Sequence, residues 1–296
     1  MTALSYTLIS FPGLGLELDP PSTIQLGPLT IHFYGLIIAV GMLLAVLYAS
    51  KRSKEFGLKE DDLIDGVLWV APFAIICARL YYCIFEWDQY ASDPVSILYI
   101  WNGGLAIYGG VLGAVIGLSV FCKVRKIKAT AMMDVVSLGL LIGQLVGRWG
   151  NFMNREAFGA PTDSFLRMGL YNTATGAVEY YHPTFLYESL WNFVGFLLLH
   201  FLSKKRKYDG QVALGYVAWY GLGRAFIEGL RMDSLYWGPF RVSQVLAGIS
   251  CVAAVAVLLW QGFRPHDPAK MLVNQAKEAK PEEAPKTEDE THENEG

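Results

Sequence analysis

Stretches of roughly 20 apolar residues, long enough to cross a hydrocarbon core about 30 Å thick as helix, recur seven times along this chain. They lie near residues 30–50, 64–85, 104–122, 132–150, 185–202, 211–230 and 243–262. A segment inside a membrane has no water to satisfy its backbone, so only a helix or a closed barrel can span. These stretches are continuously apolar and lack the every-second-residue alternation of a barrel strand, which leaves helices. Composition agrees: 53% of the 296 residues are hydrophobic, 17% are charged, and a mean hydropathy of +0.32 is too high for a soluble chain of this length.

The placement of charge sets an orientation. Residues 1–29 contain no Lys or Arg, and neither does the connection 86–103. By contrast, Lys51, Arg52, Lys54 and Lys59 follow the first span; Lys123, Arg125, Lys126 and Lys128 follow the third, and Lys204 to Lys207 follow the fifth. Connections 151–183 and 231–242 carry two arginines each. By the positive-inside rule the N-terminus is outside and the C-terminus cytoplasmic, an arrangement that seven helices satisfy and six or eight do not. No basic segment precedes the first span, so it is expected to stay rather than to be cleaved as a signal peptide. Cys77, Cys83, Cys122 and Cys251 all fall in apolar segments, without a CxxC or histidines at ligand spacing, and read as buried structural thiols.

The expected fold is an all-α membrane protein of seven transmembrane helices spanning 30–262. Residues 1–29, with Pro12, Pro20 and Pro21, read as an extracytoplasmic arm against the membrane. In the outer loop 151–183, "FLRMGLYNTATGAVEYYHP" alternates around an Asn/Thr/Gly turn and predicts a small hairpin cap. Residues 263–296, ending "KPEEAPKTEDETHENEG", cannot bury a core and read as a disordered, charged cytoplasmic tail. Gly109, Gly113 and Gly117 in the third span, and Gly139, Gly143 and Gly147 in the fourth, give faces on which helices approach closely. Such packing would bring the adjoining Tyr108 and Arg148 toward a common interior.

Of the 24 Lys and Arg residues, only Arg79, Arg148 and Arg224 fall inside predicted spans. An arginine at that depth needs a partner, an escape route or a function. Arg79 is close enough to the outer end of its helix to snorkel. Arg148 is followed by Asn151, Asn154 and Arg155 at i+3, i+6 and i+7, on one face if the helix continues. In "YGLGRAFIEGLR", Tyr220, Arg224, Glu228 and Arg231 also share a face, and Arg224 can pair with Glu228 at i+4. His32, Tyr34, Tyr108, His182, Tyr187, Glu188, Ser243 and Gln244 open other spans at the same outer depth, where interfacial aromatic belts explain some of the tyrosines. Asp134, at the inner end of the fourth span, reads as a cap or pairing residue.

Guanidinium groups at headgroup depth, with asparagine donors and few carboxylates beside them, suit a phosphate, because their fork gives permanently charged bidentate contacts. The spans open outward, so the phosphate would belong to an outer-leaflet lipid. No Walker-type loop, HExxH, GxSxG or paired Cys/His set is present, and no lysine lies in a span. That argues against nucleotide-driven chemistry, metal hydrolysis, serine hydrolysis and a retinal Schiff base.

"GRWGNFMNREAFG", Gly147 to Gly159, resembles the signature of the bacterial prolipoprotein diacylglyceryl transferases. The resemblance continues in order through "IHFYG", "NGGLAIYGG", "HPTFLYE" and "YGLGRAFIE" and covers roughly residues 25 to 262. It implies transfer of the diacylglyceryl group of phosphatidylglycerol to the lipobox cysteine thiol of a prolipoprotein in the bacterial cell membrane, leaving a thioether and glycerol phosphate. No cofactor, metal or nucleic acid is implied. Arg148 matches the lipid-binding signature arginine, and Asn151, Asn154, Glu156 and Gly159 match the rest of that motif. Tyr34 matches a functional tyrosine and Arg224 the second important arginine, flanked by Tyr220 and Glu228; Glu188 matches the fifth-span glutamate.

Many members have histidine where this chain has Tyr108. A phenol, with an ordinary pKa of about 10, is a poor base at neutral pH, but a thiol near 8.5 is already partly thiolate. Tyr108 is therefore expected to orient the phosphate or ester region rather than to take a proton. The rival readings are a seven-helix transporter or receptor for an anionic solute, which predicts an inverted repeat and access from both sides, and a phospholipid transferase with a hydroxyl acceptor.

Overall fold

The computed structural model describes residues 6–232 and 234–278. Four short strands come first: β1 (Tyr6–Phe11), β2 (Leu16–Leu18), β3 (Thr23–Leu26) and β4 (Leu29–His32). Then follow α1 (Phe33–Ser53), α2 (Glu60–Phe85), the single turn α3 (Trp87–Tyr90), α4 (Ile107–Val124) and α5 (Ala129–Asn154). Strands β5 (Met168–Asn172) and β6 (Ala177–Tyr181) precede α6 (Thr184–Ser203) and α7 (Gln211–Ile227). The two-residue strands β7 (Tyr236–Trp237) and β8 (Phe240–Arg241), then α8 (Val242–Gly262) and α9 (Leu272–Glu278), complete the described chain.

Every predicted span is a helix. Six of them, α1, α2, α4, α5, α6 and α8, are long and apolar enough to cross a membrane. The exception is α7, which has 17 residues before a 3-10 turn at Glu228–Leu230.

The predicted hairpin forms as β5–β6, turning over Asn172 to Gly176. It does not stand alone. The 1–29 segment, expected as an arm lying on the membrane, supplies β1 and β2, and the sheet runs β2-β1-β5-β6. The sequence explains why: Ile9 and Phe11 alternate inward and bury against Leu170, Met168, Phe152 and Phe185. In that sheet Glu179 accepts from Tyr181, Asn172 and Tyr6, and the Tyr181 hydrogen bond foremost holds its carboxyl below the usual value. Arg155 belongs to this layer as well. The α5 helix ends at Asn154, Arg155 turns into the left-handed region at φ 54°, and its guanidinium pairs with Asp19 and donates to Pro20 and Thr7 carbonyls. It leaves the face that a continued helix would have shared with Arg148.

The glycine stripes pack, but against other partners than expected. A Cβ at Gly109 would lie 2.4 Å from the Tyr81 Cβ, and one at Gly113 2.5 Å from the Cys77 Cβ, so the α4 stripe seats on α2. The α5 stripe seats on α1, with Gly139 against Ala45 and Gly147 against Ile38. Small-residue faces specify closeness and not the partner, so Tyr108 and Arg148 are not brought together by them. Arg79 is 5% exposed rather than snorkelling, and its guanidinium donates to the carbonyls of Ser96, Ile97, Gly103 and Gly104. It holds the α2–α4 connection in place. Cys83 and Cys122 are buried, while Cys77 and Cys251 are half-buried.

At the opposite end of the bundle Asp134 caps α7 from a neighbouring helix, accepting from the backbone N–H groups of Gly210 and Ala213 at 2.8 Å each. The segment expected to be disordered from residue 263 is folded as far as it is described. A 3-10 turn at Pro268–Lys270 leads into α9, Met271 is 8% exposed, and Leu272 packs on the cluster containing Phe56 and Leu58. The apolar run "MLV" inside a polar tail is the cause. Residues 279–296 lie outside the described residues.

Candidate active site

Two tryptophans register α6 against α7. Trp191 and Trp219 stack at 4.4 Å, and each indole N–H donates to the other's carbonyl oxygen, at 3.0 and 2.9 Å. Gly195 and Gly223 make the room, since a Cβ at either would come within 2.2 Å of the facing indole nitrogen. This pair fixes the height of Glu188, about one turn before Trp191, against Arg224, the residue after Gly223. Trp149 on α5 donates to Ser189, and Ser189 donates to the Leu145 carbonyl, so α5 is held to α6 at the same level.

Glu188 is the centre of the site. It is 4% exposed and ion-paired with Arg148 from α5, with Arg224 from α7 at 3.1 Å, and with Arg231 at 3.5 Å. Arg224 also pairs with Glu228 at 2.5 Å, the i+4 pair read from the sequence. Glu228 is 2% exposed. The directly ion-paired cluster therefore holds three guanidiniums and two carboxylates, with one positive charge in excess. The carboxylates are more intimate with the arginines than the sequence suggested: Glu188 lies between Arg148 and Arg224 and joins them.

Asn151 extends the network, accepting from Arg148 at 3.3 Å and donating to Glu156 at 3.0 Å. Asn154 is the last helical residue of α5, half-buried. Gly159 lies where the following loop pairs with Arg231; a Cβ there would come within 2.9 Å of the Leu230 carbonyl oxygen, so glycine alone fits. Tyr220 stacks on Tyr216 at 5.8 Å and, with Glu188 and Arg224, lines a pocket of only about 10 Å³. The Tyr34 ring lies against Gly150 on α5, two residues beyond Arg148.

Tyr108 stands apart from the arginines, its hydroxyl hydrogen-bonded at 2.8 Å to Ser243 of α8. The next residue, Gln244, donates to the carbonyl of Ala225, beside Arg224. Arg231 is the member that sequence reasoning left outside the site; its place on the Tyr220–Arg224–Glu228 face was the available signal. An apolar cavity of about 330 Å³ between α1, α2 and α5, lined by Met42, Val46, Val67, Leu140 and Gly143, ends at Gln144, one turn before Arg148.

Residues 21–260 match the family profile described as prolipoprotein diacylglyceryl transferase. Among curated relatives named phosphatidylglycerol–prolipoprotein diacylglyceryl transferase, that of Listeria monocytogenes is 42% identical over 265 residues, covering 88% of this chain and 96% of its own length. The Limosilactobacillus reuteri protein of the same name is 46% identical over 247 residues, 81% of this chain and 90% of its own, and that of Halalkalibacterium halodurans is 42% identical over 272 residues, 86% and 93%. Together with a buried carboxylate that draws arginines from separate helices, the match over most of its length establishes that the chain belongs to the prolipoprotein diacylglyceryl transferase family.

Proposed function

We propose that this protein transfers the diacylglyceryl group of phosphatidylglycerol to the thiol of a lipobox cysteine in a prolipoprotein signal peptide, the first step of lipoprotein maturation. It works as a seven-span protein of the bacterial cell membrane, with its N-terminus and cap outside and its C-terminus cytoplasmic. Residues 30–262 form the catalytic body, with 151–183 as its outer cap loop. The observation that carries the reading is the convergence of Arg148 and Arg224, from α5 and α7, on Glu188.

The chemistry follows from charge. Three arginines against Glu188 and Glu228 leave an excess of one positive charge, which matches the single negative charge of a phosphodiester. With so little space between Glu188, Tyr220 and Arg224, the headgroup enters by exchanging carboxylate contacts for its own oxygens rather than by filling a void. The peptide thiol, as thiolate, attacks the glyceryl carbon; the new C–S bond forms as the C–O bond to phosphate breaks, and the thiol's proton is taken up by the departing glycerol phosphate or by water. Charge grows on the leaving oxygen, where Arg148 and Arg224 stabilise it. Asn151, itself held by Glu156, steadies the Arg148 fork, Glu228 holds Arg224, and Tyr34, Asn154 and Tyr220 line the approach. The cavity ending at Gln144 gives an acyl chain an apolar bed one turn from the clamp.

The test is direct. Purified protein is incubated with phosphatidylglycerol vesicles and a lipobox peptide, and the peptide is examined by mass spectrometry. A diacylglyceryl adduct on cysteine, absent from the Cys→Ser peptide, is expected. No adduct would overturn the reading, and equal labelling of both peptides would point to a hydroxyl acceptor instead.

A further inference from the structure

The long helices pack as an open chain. α4 runs along α2, α2 meets α1, α1 lies on α5, α5 meets α7 both directly and through α6, and α7 lies along α8, with a slight approach of α4 to α5. The ends of that chain are α4 and α8, and the Tyr108–Ser243 hydrogen bond of 2.8 Å joins them. It does so at the level of the arginine site, since Gln244 in the same turn of α8 bonds the carbonyl of Ala225.

The other end of the seam is held differently. Beyond α8 the chain folds back over the ends of several helices. The N–H of Leu272 donates to Asp209 at 2.9 Å, Lys128 donates to the carbonyl of Lys270 at 2.7 Å, and Lys128 pairs with Asp209 at 2.9 Å. Gly57, at φ +78°, lies so close under Leu272 that a Cβ would be 2.6 Å from its backbone. Residues 265–278 thereby tie the inner end of α8 to the α1–α2, α4–α5 and α6–α7 connections. This clasp lies beyond the 21–260 segment that the family profile matches.

We propose that α4 and α8 form a one-ended gate, latched beside the arginines by Tyr108 and Ser243, pivoting on the 265–278 clasp, and opened to admit the peptide substrate. One neutral hydrogen bond is a small barrier, whereas the clasp combines apolar burial at Met271 and Leu272 with an ion pair from Lys128 to the buried Asp209 carboxylate, so opening is confined to the latch end. A substrate that binds only the open form has its apparent affinity reduced by the fraction of molecules that are open. Loosening the latch therefore lowers KM without touching the step at the arginines. The proposal rests on the transfer reaction above.

Three variants test it. Ser243→Ala should lower the KM for lipobox peptide about two- to tenfold with kcat held within about twofold, the worth of one neutral hydrogen bond; Ser243→Thr should restore wild-type values. An unchanged KM, or a fall in kcat at constant KM, would overturn the latch. Cys122, 1% exposed and in the cluster on which Leu272 packs, reports on the pivot. It should resist N-ethylmaleimide in wild type and in Ser243→Ala, and react in a full-length Met271→Asp, Leu272→Asp double variant. Protection that persists in the double variant, or is lost in Ser243→Ala, would overturn the pivot. Absence of any wild-type thioether would remove the reaction itself, while the labelling would still decide the pivot.

Discussion

At the scale of single residues, the site depends on what kind of cation Arg148 is. Its guanidinium serves Glu188 and Asn151 at once from different nitrogens. A lysine ammonium would keep the charge and lose the fork. Each charged hydrogen bond is worth about 1.5 to 3 kcal/mol, or about one to two powers of ten in rate when it acts on the transition state. Arg148→Lys should thus cut transfer about 10- to 100-fold in a membrane assay with vesicles and peptide, with the protein still inserted at normal yield. Full activity would remove Arg148 from the transition state. Tyr108 illustrates the limit of reading single residues: its family position marked it as a site residue, but only the fold shows its hydroxyl engaged with Ser243. No spacing rule links positions 135 residues apart.

At the scale of elements, the spans were legible because continuous apolar runs have few alternatives in a membrane, and the hairpin was legible from its alternation. The pairing of helices was not. The stripes at Gly109 and Gly139 announce close approach, yet α4 meets α2 and α5 meets α1, because any apolar partner with the right relief will do. The Trp191–Trp219 exchange also went unread, since its reciprocal bonds exist only once α6 and α7 are side by side. In Gly223→Ala the new methyl would meet Trp191 Nε1, which is held by stacking and by its carbonyl partner and has little room to yield. Overpacking of this kind costs about 1 to 3 kcal/mol. Thermal unfolding in detergent should begin at a lower temperature, and transfer should fall because Arg224 shifts against Glu188. An unaltered melting profile would show that the indole pair is looser than its geometry.

At the scale of the whole molecule, the parity of crossings turns on α7. Among the described residues, six helices satisfy length and hydropathy for spanning. α7, with 17 residues, rises only about 25 Å. Two features are compatible with a crossing: α5, α6 and α8 pack around it, so it shows less of itself to its surroundings, and the 3-10 turn Glu228–Leu230 continues it beyond the Arg224–Glu228 ion pair. If α7 crosses, the β7–β8 turn lies on the same side as the β5–β6 hairpin, and the C-terminus lies opposite. If it does not, the β7–β8 turn joins the basic connection at Lys204 to Lys207 and the C-terminus moves to the hairpin's side. Single-cysteine variants at Pro239, in the β7–β8 turn, and at Thr175, in the hairpin turn, separate these cases when the four native cysteines are replaced by serine or alanine. In intact cells with permeable outer layers, a membrane-impermeant maleimide should label both positions and leave a cysteine at Lys205 untouched until the membrane is broken. Labelling of Thr175→Cys without Pro239→Cys would make α7 a re-entrant helix and put the arginine site on a six-span body.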